Sequence, residues 1–256
     1  MTQSFLKISP TLARRIRLVV ADVDGTLLSD GDNVSPEVAR TIKSLEYCGI
    51  MVGFDSGRPL TRLEPLAREL NMSGPIIAEN GCIAKLTKDS KLFNLGYSRK
   101  PALKTLLKFK TDFPGAIREA PDIKDRLIDV GFFADGIPHE GLIKRLEGVQ
   151  LLDSGYMLHL IPEDVSKGKT LQRILVLIGD GTLRSEEVIT FGDSATDVSL
   201  FTLFENSVLI VNPRLTKQQK DDLRKLAKYQ SESPFGVGFV EVVSHILKSR
   251  QSGGRG

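Results

Sequence analysis

The chain has 256 residues, of which 41% are hydrophobic and 26% charged, a composition typical of a soluble globular protein with a sizeable core. Its formal net charge of only +3, spread over scattered basic residues, argues against a nucleic-acid partner. No apolar run approaches the roughly 18 residues of a membrane span. Cys48 and Cys82 have neither metal-ligand spacing nor a secretory context. These features predict a cytoplasmic protein with no nucleic-acid or membrane partner.

The N-terminal part of the chain alternates between predicted strands and helices. Apolar runs predict buried strands at 18–21, 50–54 and 75–78. Helices are predicted between them, over 36–47 and 60–70, from helix-start residues and apolar spacing. This β-α-β-α-β order is typical of a parallel sheet covered by helices.

The alternation changes in the middle of the chain. The predicted elements there are short strands at 82–86 and 91–95, an amphipathic helix at 100–113, a strand at 126–133, a helix at 139–146 and a strand at 156–161. Their antiparallel character predicts a separate small α+β unit. We therefore expect a core formed by 1–83 and 166–256, with an inserted cap at 84–165.

After the predicted cap the α/β alternation resumes. The predicted elements are a helix opening at 165–169, a strand at 187–191, a helix at 197–204, a strand at 207–211 and helices at 215–229 and 236–247. The predicted fold class is therefore α/β, with a Rossmann-like parallel sheet core and an inserted small α+β cap domain.

Two aspartates, Asp22 and Asp24, follow the first predicted strand. Alternation along an extended chain places their side chains on the same side. They lie where ligands bind in open α/β sheets, at the carboxyl end of a strand. Two carboxylates this close repel each other, which suggests a bound cation or a shared proton. The alternative is an ordinary Asp-Gly turn.

Polar groups in four segments could converge on one site. The segments are Asp22/Asp24, Ser56-Gly57-Arg58, Lys167 and Asp193/Asp197. Hydrolysis of a phosphate ester requires such a set. A carboxylate can attack phosphorus, and carboxylate oxygens suit magnesium. A hydroxyl, backbone amides and a lysine can hold the charge of the transferring group. The chain therefore predicts phosphoryl chemistry.

These segments resemble the motifs of the haloacid dehalogenase superfamily of phosphatases. Asp22-Val23-Asp24-Gly25-Thr26 looks like the first motif, Ser56 the second, Lys167-Gly168 the third and 192–197 the fourth. The order and spacing agree over nearly the whole chain. A cap between the second and third motifs corresponds to the type 2 arrangement of that family.

Further segments resemble a narrower group. Ser56-Gly57-Arg58, Asn80-Gly81 and Lys167-Gly168 are similar to the 2B subgroup. The cap segments 125–126 and 153–159 resemble archaeal-type phosphoglycolate phosphatases.

The resemblance implies a role for each motif residue. Asp22 would be the nucleophile, and Asp24 would protonate the leaving alcohol and then activate water. Ser56, the amide of Gly57 and Lys167 would bind the phosphate. The implied cofactor is Mg²⁺. Its implied ligands are Asp22, the backbone carbonyl of Asp24 and Asp193, with Asp197 completing or supporting the site.

The chain departs from the family pattern in two places. Thr196 stands where Asn is common, and Asp55 stands where a small residue is usual. The extra carboxylate of Asp55 could perturb the charge of the site or face solvent. We favour solvent, since aspartate is seldom fully buried unpaired. Arg58 could contact substrate, or cap a helix and pair with Asp55. In the cap, Arg118, Lys124 and Arg126 are either solvated or partners for an anionic substrate tail. His159 is expected to be structural.

The sequence predicts a magnesium-dependent phosphatase that hydrolyses a small phosphorylated metabolite through an aspartyl-phosphate, with phosphoglycolate the first candidate substrate. Alternatives are a sugar phosphatase of the sucrose- or mannosylglycerate-phosphatase type, a mutase, or a non-catalytic metabolite-binding protein on the same fold. The intact Asp22/Asp24 pair argues against a mere binder. The oligomeric state, monomer or homodimer, is left open.

Overall fold

A computed structural model describes residues 2–29, 31, 33–178 and 181–252. The strands are β1 (Gln3–Ser4), β2 (Leu18–Ala21), β3 (Met51–Asp55), β4 (Ile76–Ala78), β5 (Ile83–Lys85), β6 (Leu92–Phe93), β7 (Ile117–Glu119), β8 (Val130–Ala134), β9 (Val149–Asp153), β10 (Leu158–Pro162), β11 (Val188–Gly192), β12 (Ser207–Val211) and β13 (Tyr229–Pro234). The α-helices are α1 (Pro10–Arg15), α2 (Pro36–Tyr47), α3 (Leu60–Glu69), α4 (Lys100–Asp112), α5 (His139–Ile143), α6 (Lys167–Leu175), α7 (Val198–Leu203), α8 (Lys217–Arg224) and α9 (Phe235–Gln251).

The larger sheet has the strand order β1-β13-β12-β11-β2-β3-β4-β5-β6. The first seven strands of this order, from β1 at the edge to β4, pair with their neighbours in parallel. Strands β5 and β6 pair antiparallel at the other edge. The predicted α/β class with a parallel core is confirmed.

Strand β2 lies inside this sheet, and its uninterrupted apolar run reflects burial on both faces. Val19 and Ala21 pack in the core layer that contains the apolar residues of α2, α3 and α9. Leu18 and Val20 point the other way, into the layer formed with α6 and α7. This packing holds the carboxyl end of β2 rigidly in the middle of the sheet.

A second, antiparallel sheet has the order β7-β8-β10-β9. Helix α4 covers one of its faces, where Phe109 and Phe132 have ring centroids 5.7 Å apart. The elements of this unit, from α4 to β10, extend from Lys100 to Pro162. Strands β5 and β6 fall within the 84–165 range expected for the cap, yet they pair with the larger sheet.

Several elements differ from the expectation. Strands β7 and β9 were not predicted, and β7 contains only one apolar residue, Ile117. The strand expected over 126–133 begins only at Val130, because the backbone amides of 127–129 donate to the carboxylate of Glu79 instead. The helix expected over 215–229 ends at Arg224, and the polar segment Tyr229–Pro234 pairs with β12 as a strand.

Among the described residues, no helix is both long and apolar enough to cross a membrane.

Candidate active site

The strand order brings the predicted site residues together. Strands β11, β2 and β3 are adjacent and parallel. Asp193, Asp22 and Ser56 each directly follow one of these strands. The carboxyl ends of neighbouring parallel strands meet at one edge of the sheet, so these three side chains share that edge.

Three aspartates form a buried cluster at this edge. One carboxylate oxygen from each of Asp22, Asp193 and Asp197 lies within 4.8 Å of the others. Burial raises the pKa of Asp22 well above its usual value, and the neighbouring carboxylates add to this effect against the opposing charge of Lys167. Burial and Asp197 likewise raise the pKa of Asp193 to about 7. The cluster therefore has more negative charge than its protein surroundings balance.

Lys167 provides the positive charge inside the cluster. It is the first residue of α6, whose preceding residue Ser166 caps the helix by accepting from the amide of Lys169. The Lys167 ammonium is 1% exposed and donates to Asp22 Oδ1 and Asp197 Oδ1, each at 2.7 Å. Burial alone lowers the pKa of this ammonium, but the carboxylates of Asp197, Asp22 and Asp55 outweigh that effect and raise it. Lys167 is therefore charged.

Asp197 uses both of its oxygens in contacts with the protein. Oδ1 accepts from Lys167, whereas Oδ2 accepts from the backbone amides of Asp193 and Ser194 at 2.9 and 3.0 Å. Gly192 is required beside it, because a Cβ there would lie 2.4 Å from the Asp197 carboxyl carbon. Asp197 thus holds the loop after β11 and fixes the lysine. Thr196, the departure from the usual Asn, bonds the Ser194 hydroxyl at 2.9 Å.

Asp193 is held by two neutral donors. Thr26 Oγ1 donates to its Oδ1 at 2.8 Å, and Asn212 Nδ2 donates to its Oδ2 at 2.7 Å. Asn212 was not predicted to be a site residue. Its position directly after strand β12, at the same sheet edge, was the available signal. Gly25 gives Asp193 room, since it has φ +84° and a Cβ there would lie 2.3 Å from Asp193 Oδ2.

Asp24 faces away from the buried cluster. Its carboxylate is 58% exposed and accepts from Arg58 Nε at 2.7 Å and from Arg58 Nη2 at 2.6 Å. Of the two alternatives for Arg58, pairing with Asp55 is therefore wrong. The bidentate contact instead joins the first and second motifs across the mouth of the site.

Ser56 and Gly57 form a tight turn after β3. Ser56 is fully buried, and its Oγ accepts from the backbone amide of Arg58 at 3.2 Å. Gly57 packs against Asn80, whose Oδ1 would lie 2.9 Å from a Cβ at this position. Asn80 belongs to a turn of left-handed residues, which also include Glu79. The Asn80-Gly81 segment thus lies beside the turn expected to bind phosphate.

The expectation that Asp55 faces solvent is wrong. Asp55 is 0% exposed, and neither of its carboxylate oxygens has a hydrogen-bond partner among the described residues. Alternation in β3 turns its side chain away from the layer that contains Val52 and Phe54. Burial raises its pKa well above the usual value, with Lys167 opposing and Asp197 adding to the shift.

Arg126 is neither solvated nor open to a substrate tail. Its side chain is 2% exposed and is bound by Asp122 and Asp129. His159 is also buried, with Nδ1 2.7 Å from Asp129 Oδ2. Its position agrees with a structural role at the boundary between the two sheets.

The acidic cluster has the chemistry of a site for a hard divalent cation. Its donors are carboxylate oxygens, which magnesium prefers. Three carboxylates lie in this cluster and Lys167 supplies one positive charge among them. A divalent cation would supply the missing positive charge.

The chain is similar to known proteins over most of its length. The haloacid dehalogenase-like hydrolase family matches residues 19–117 and 144–233. Phosphoglycolate phosphatase 1 of Saccharolobus solfataricus is 28% identical over 242 residues, covering 93% of this chain and 99% of the relative. The phosphoglycolate phosphatase of Methanospirillum hungatei is 26% identical over 240 residues, covering 91% and 99%.

Solved structures show the same fold. A Thermoplasma acidophilum protein has a TM-score of 0.78 at 24% identity, covering 91% of this chain and 98% of its own. The sucrose-phosphatase of Synechocystis, solved with sucrose and phosphate, has a TM-score of 0.68 at 16% identity, covering 91% and 98%. The predicted fold class and the prediction of a phosphatase-type hydrolase are confirmed. The chain belongs to the haloacid dehalogenase-like hydrolase family.

Proposed function

We propose that the protein is a magnesium-dependent phosphatase that hydrolyses a small phosphorylated metabolite through an aspartyl-phosphate at Asp22. One observation carries this proposal. The Asp22 carboxylate is buried at a sheet edge, 2.7 Å from the Lys167 ammonium and beside Asp193. A carboxylate held next to a fixed cation and a metal-type cluster is suited to attack phosphorus rather than to bind passively.

The ligands of the magnesium ion are proposed to be Asp22, Asp193 and the backbone carbonyl of Asp24. Asp197 is proposed to support the site, because its oxygens already hold Lys167 and the loop after β11. When bound, magnesium would neutralise charge on the attacking carboxylate and on the phosphate oxygens.

In the first proposed step, an Asp22 oxygen attacks phosphorus and the bond from phosphorus to the ester oxygen breaks. Asp24 gives its proton to that departing oxygen, so the alcohol leaves neutral. In the second step Asp24 takes a proton from water, which attacks phosphorus and frees Asp22 and inorganic phosphate. Because Arg58 holds the Asp24 carboxylate in the structure, we expect this contact to loosen when substrate binds.

Phosphate binding is assigned to three groups at the same edge. Lys167 is fixed within reach of Asp22, while Ser56 and the amide of Gly57 lie on the adjacent turn after β3. A buried ammonium and fixed hydrogen-bond donors stabilise the charge that develops on the transferring group.

The relatives support two candidate classes of substrate. Phosphoglycolate is the first candidate because the two relatives described above are named phosphoglycolate phosphatases. A sugar phosphate is the second, because the sucrose-phosphatase of Synechocystis shares the fold. We further propose that the unit from α4 to β10 acts as a cap over the site. Leu152 of β9 supports this, since it packs against the core of the larger sheet.

The experiment that tests this proposal compares hydrolysis of a generic aryl phosphate by the wild type and by Asp22→Asn, with magnesium present. The variant keeps the size of the side chain but lacks the nucleophilic oxygen anion. We expect a loss of at least about 1,000-fold in kcat. Equal activity in the two proteins would overturn the assignment. A panel of phosphoglycolate, hexose phosphates and sucrose phosphate, compared by kcat/KM, then decides the substrate class.

A further inference from the structure

Arg126 joins the smaller sheet to the turn that is proposed to bind phosphate. This arginine lies just before strand β8, and its side chain is 2% exposed. Its Nη1 donates to the backbone carbonyl of Gly57 at 2.9 Å. A buried cation from outside the larger sheet therefore contacts the residue directly after Ser56.

The guanidinium is fixed on its other edges. Asp122 accepts from Nε at 3.1 Å and from Nη2 at 2.7 Å, and Asp129 accepts from Nη1 at 2.5 Å. Asp129 is itself held by His159 at 2.7 Å. A planar guanidinium held by two carboxylates has little freedom to rotate, so the direction of its bond to Gly57 is fixed.

The Gly57 carbonyl belongs to the same peptide unit as the amide of Arg58. That amide donates to Ser56 Oγ at 3.2 Å. Because a peptide unit is planar, an anchor on its oxygen also fixes the direction of its N–H. The contacts therefore form a chain from Arg126, through one peptide unit, to the Ser56 hydroxyl oxygen.

We propose that Arg126 is a positioning residue for phosphate binding, acting through the peptide unit between Gly57 and Arg58 on Ser56. With Ser56 Oγ accepting from the Arg58 amide, its hydroxyl hydrogen remains for an acceptor in the site. A phosphate oxygen is such an acceptor. The inference rests on the proposed phosphatase function and gives Arg126 a role that does not depend on the leaving group.

The test is a double-mutant cycle that measures the Kd of inorganic phosphate with magnesium present. It compares the wild type, Arg126→Lys, Ser56→Ala and the double variant. Lysine keeps the positive charge but lacks the planar guanidinium that bonds Asp122, Asp129 and Gly57 at once. We therefore expect about tenfold weaker phosphate binding when Ser56 is present. In the Ser56→Ala background the same change should weaken phosphate binding less than about twofold, because the hydroxyl that Arg126 positions is already absent.

Arg118→Lys is the matched control. Arg118 also makes a bidentate contact, to Asp135, but its side chain is 61% exposed and belongs to β7. The Arg118→Lys variant should leave the Kd of inorganic phosphate unchanged. Equal weakening by Arg126→Lys in both backgrounds, or no weakening in either, would overturn the proposal.

A second variant and a second readout cover the case in which Arg126→Lys folds poorly. Asp122→Asn loosens the guanidinium without removing it, and the same cycle applies. Hydrogen exchange of the Arg58 amide requires neither phosphate nor turnover. We expect faster exchange in Arg126→Lys and Asp122→Asn but not in Arg118→Lys. Unchanged exchange of the Arg58 amide would overturn the proposed role of Arg126 even in an active enzyme. Faster exchange in a protein that hydrolyses no ester would count against the proposed function alone.

Discussion

At the scale of one residue, the buried carboxyl of Asp55 has no hydrogen-bond partner among the described residues, and this leads to a prediction. Its folded-state pKa is raised, so the folded protein holds a proton that the unfolded chain releases above about pH 4. The stability associated with this group is therefore present below that pH and is lost as the pH rises toward the folded pKa. At neutral pH Asp55 destabilises the fold.

We therefore expect Asp55→Asn to raise the free energy of unfolding by about 1–3 kcal/mol at pH 7.5. The gain should shrink toward zero near pH 4. Urea unfolding of both proteins at the two pH values measures this. An exposed control, Asp221→Asn, should show no such pH-dependent difference. An equal gain at both pH values would contradict the account.

Asn212 gives a second residue-scale prediction. Its amide donates to Asp193 Oδ2 at 2.7 Å. Residues that orient a metal ligand typically contribute 10- to 100-fold to affinity. Asn212→Ala should therefore weaken magnesium binding by about tenfold or more, measured by calorimetry. Unchanged affinity in Asn212→Ala would show that Asp193 needs no such support.

The residue scale also shows what the sequence could predict of the site. Asp22, Ser56, Lys167, Asp193 and Asp197 meet at one edge because each follows a strand or begins a helix, and motif spacing carries that information. The burial of Asp55 and Arg126 depends on packing between segments far apart in the chain, which a single sequence does not show. Asn212 lacked any local pattern, since a polar residue after a strand is usually a turn.

At the scale of elements, the turn after β2 requires glycine at residue 25 for two reasons, its backbone conformation and the space beside it. Gly25 has φ +84°, and a Cβ there would meet the Asp193 carboxylate. Gly49, after α2, has φ +74° but no atom within 4 Å of a Cβ. Alanine at either position has the same backbone strain, roughly 1 kcal/mol.

Gly25→Ala and Gly49→Ala are therefore a matched pair. We expect backbone strain to lower the stability of both variants, and Gly25→Ala to lose more because its Cβ would overlap the Asp193 carboxylate. Only Gly25→Ala should also lose aryl phosphate turnover, by at least about tenfold, because Asp193 is displaced. Thermal unfolding and kcat/KM measure the two effects. Full activity in Gly25→Ala would show that the Asp193 position is not critical.

Elements were predictable where they carry their own signal. Helix α2 begins at Pro36 after the N-cap Ser35, and the apolar strand β2 is buried on both faces. Strand β13 has the polar sequence YQSESP, and its state is set by pairing with β12 and β1 rather than by its composition. The start of β8 is likewise set from outside, by the Glu79 carboxylate.

At the scale of the whole molecule, the acidic cluster couples metal binding to stability. Without a cation, burial and mutual repulsion raise the pKa values of Asp22 and Asp193. Magnesium at about 100 times its Kd should raise the stability by about 2.7 kcal/mol and Tm by roughly 5–10 °C. Chelation should reverse the shift, and Asp193→Asn should reduce it. A Tm that does not respond to magnesium would contradict the proposed site.

The central claim is that Asp22 attacks phosphorus. Asp24→Asn should preserve this attack on an aryl phosphate, whose leaving group needs little protonation, but should slow hydrolysis of the intermediate. The most direct measurement is mass spectrometry of that variant after acid quench during turnover. We expect a phosphoryl group on the peptide that contains Asp22, and none when Asp22→Asn is added. Turnover without any adduct, or an adduct on another residue, would contradict it.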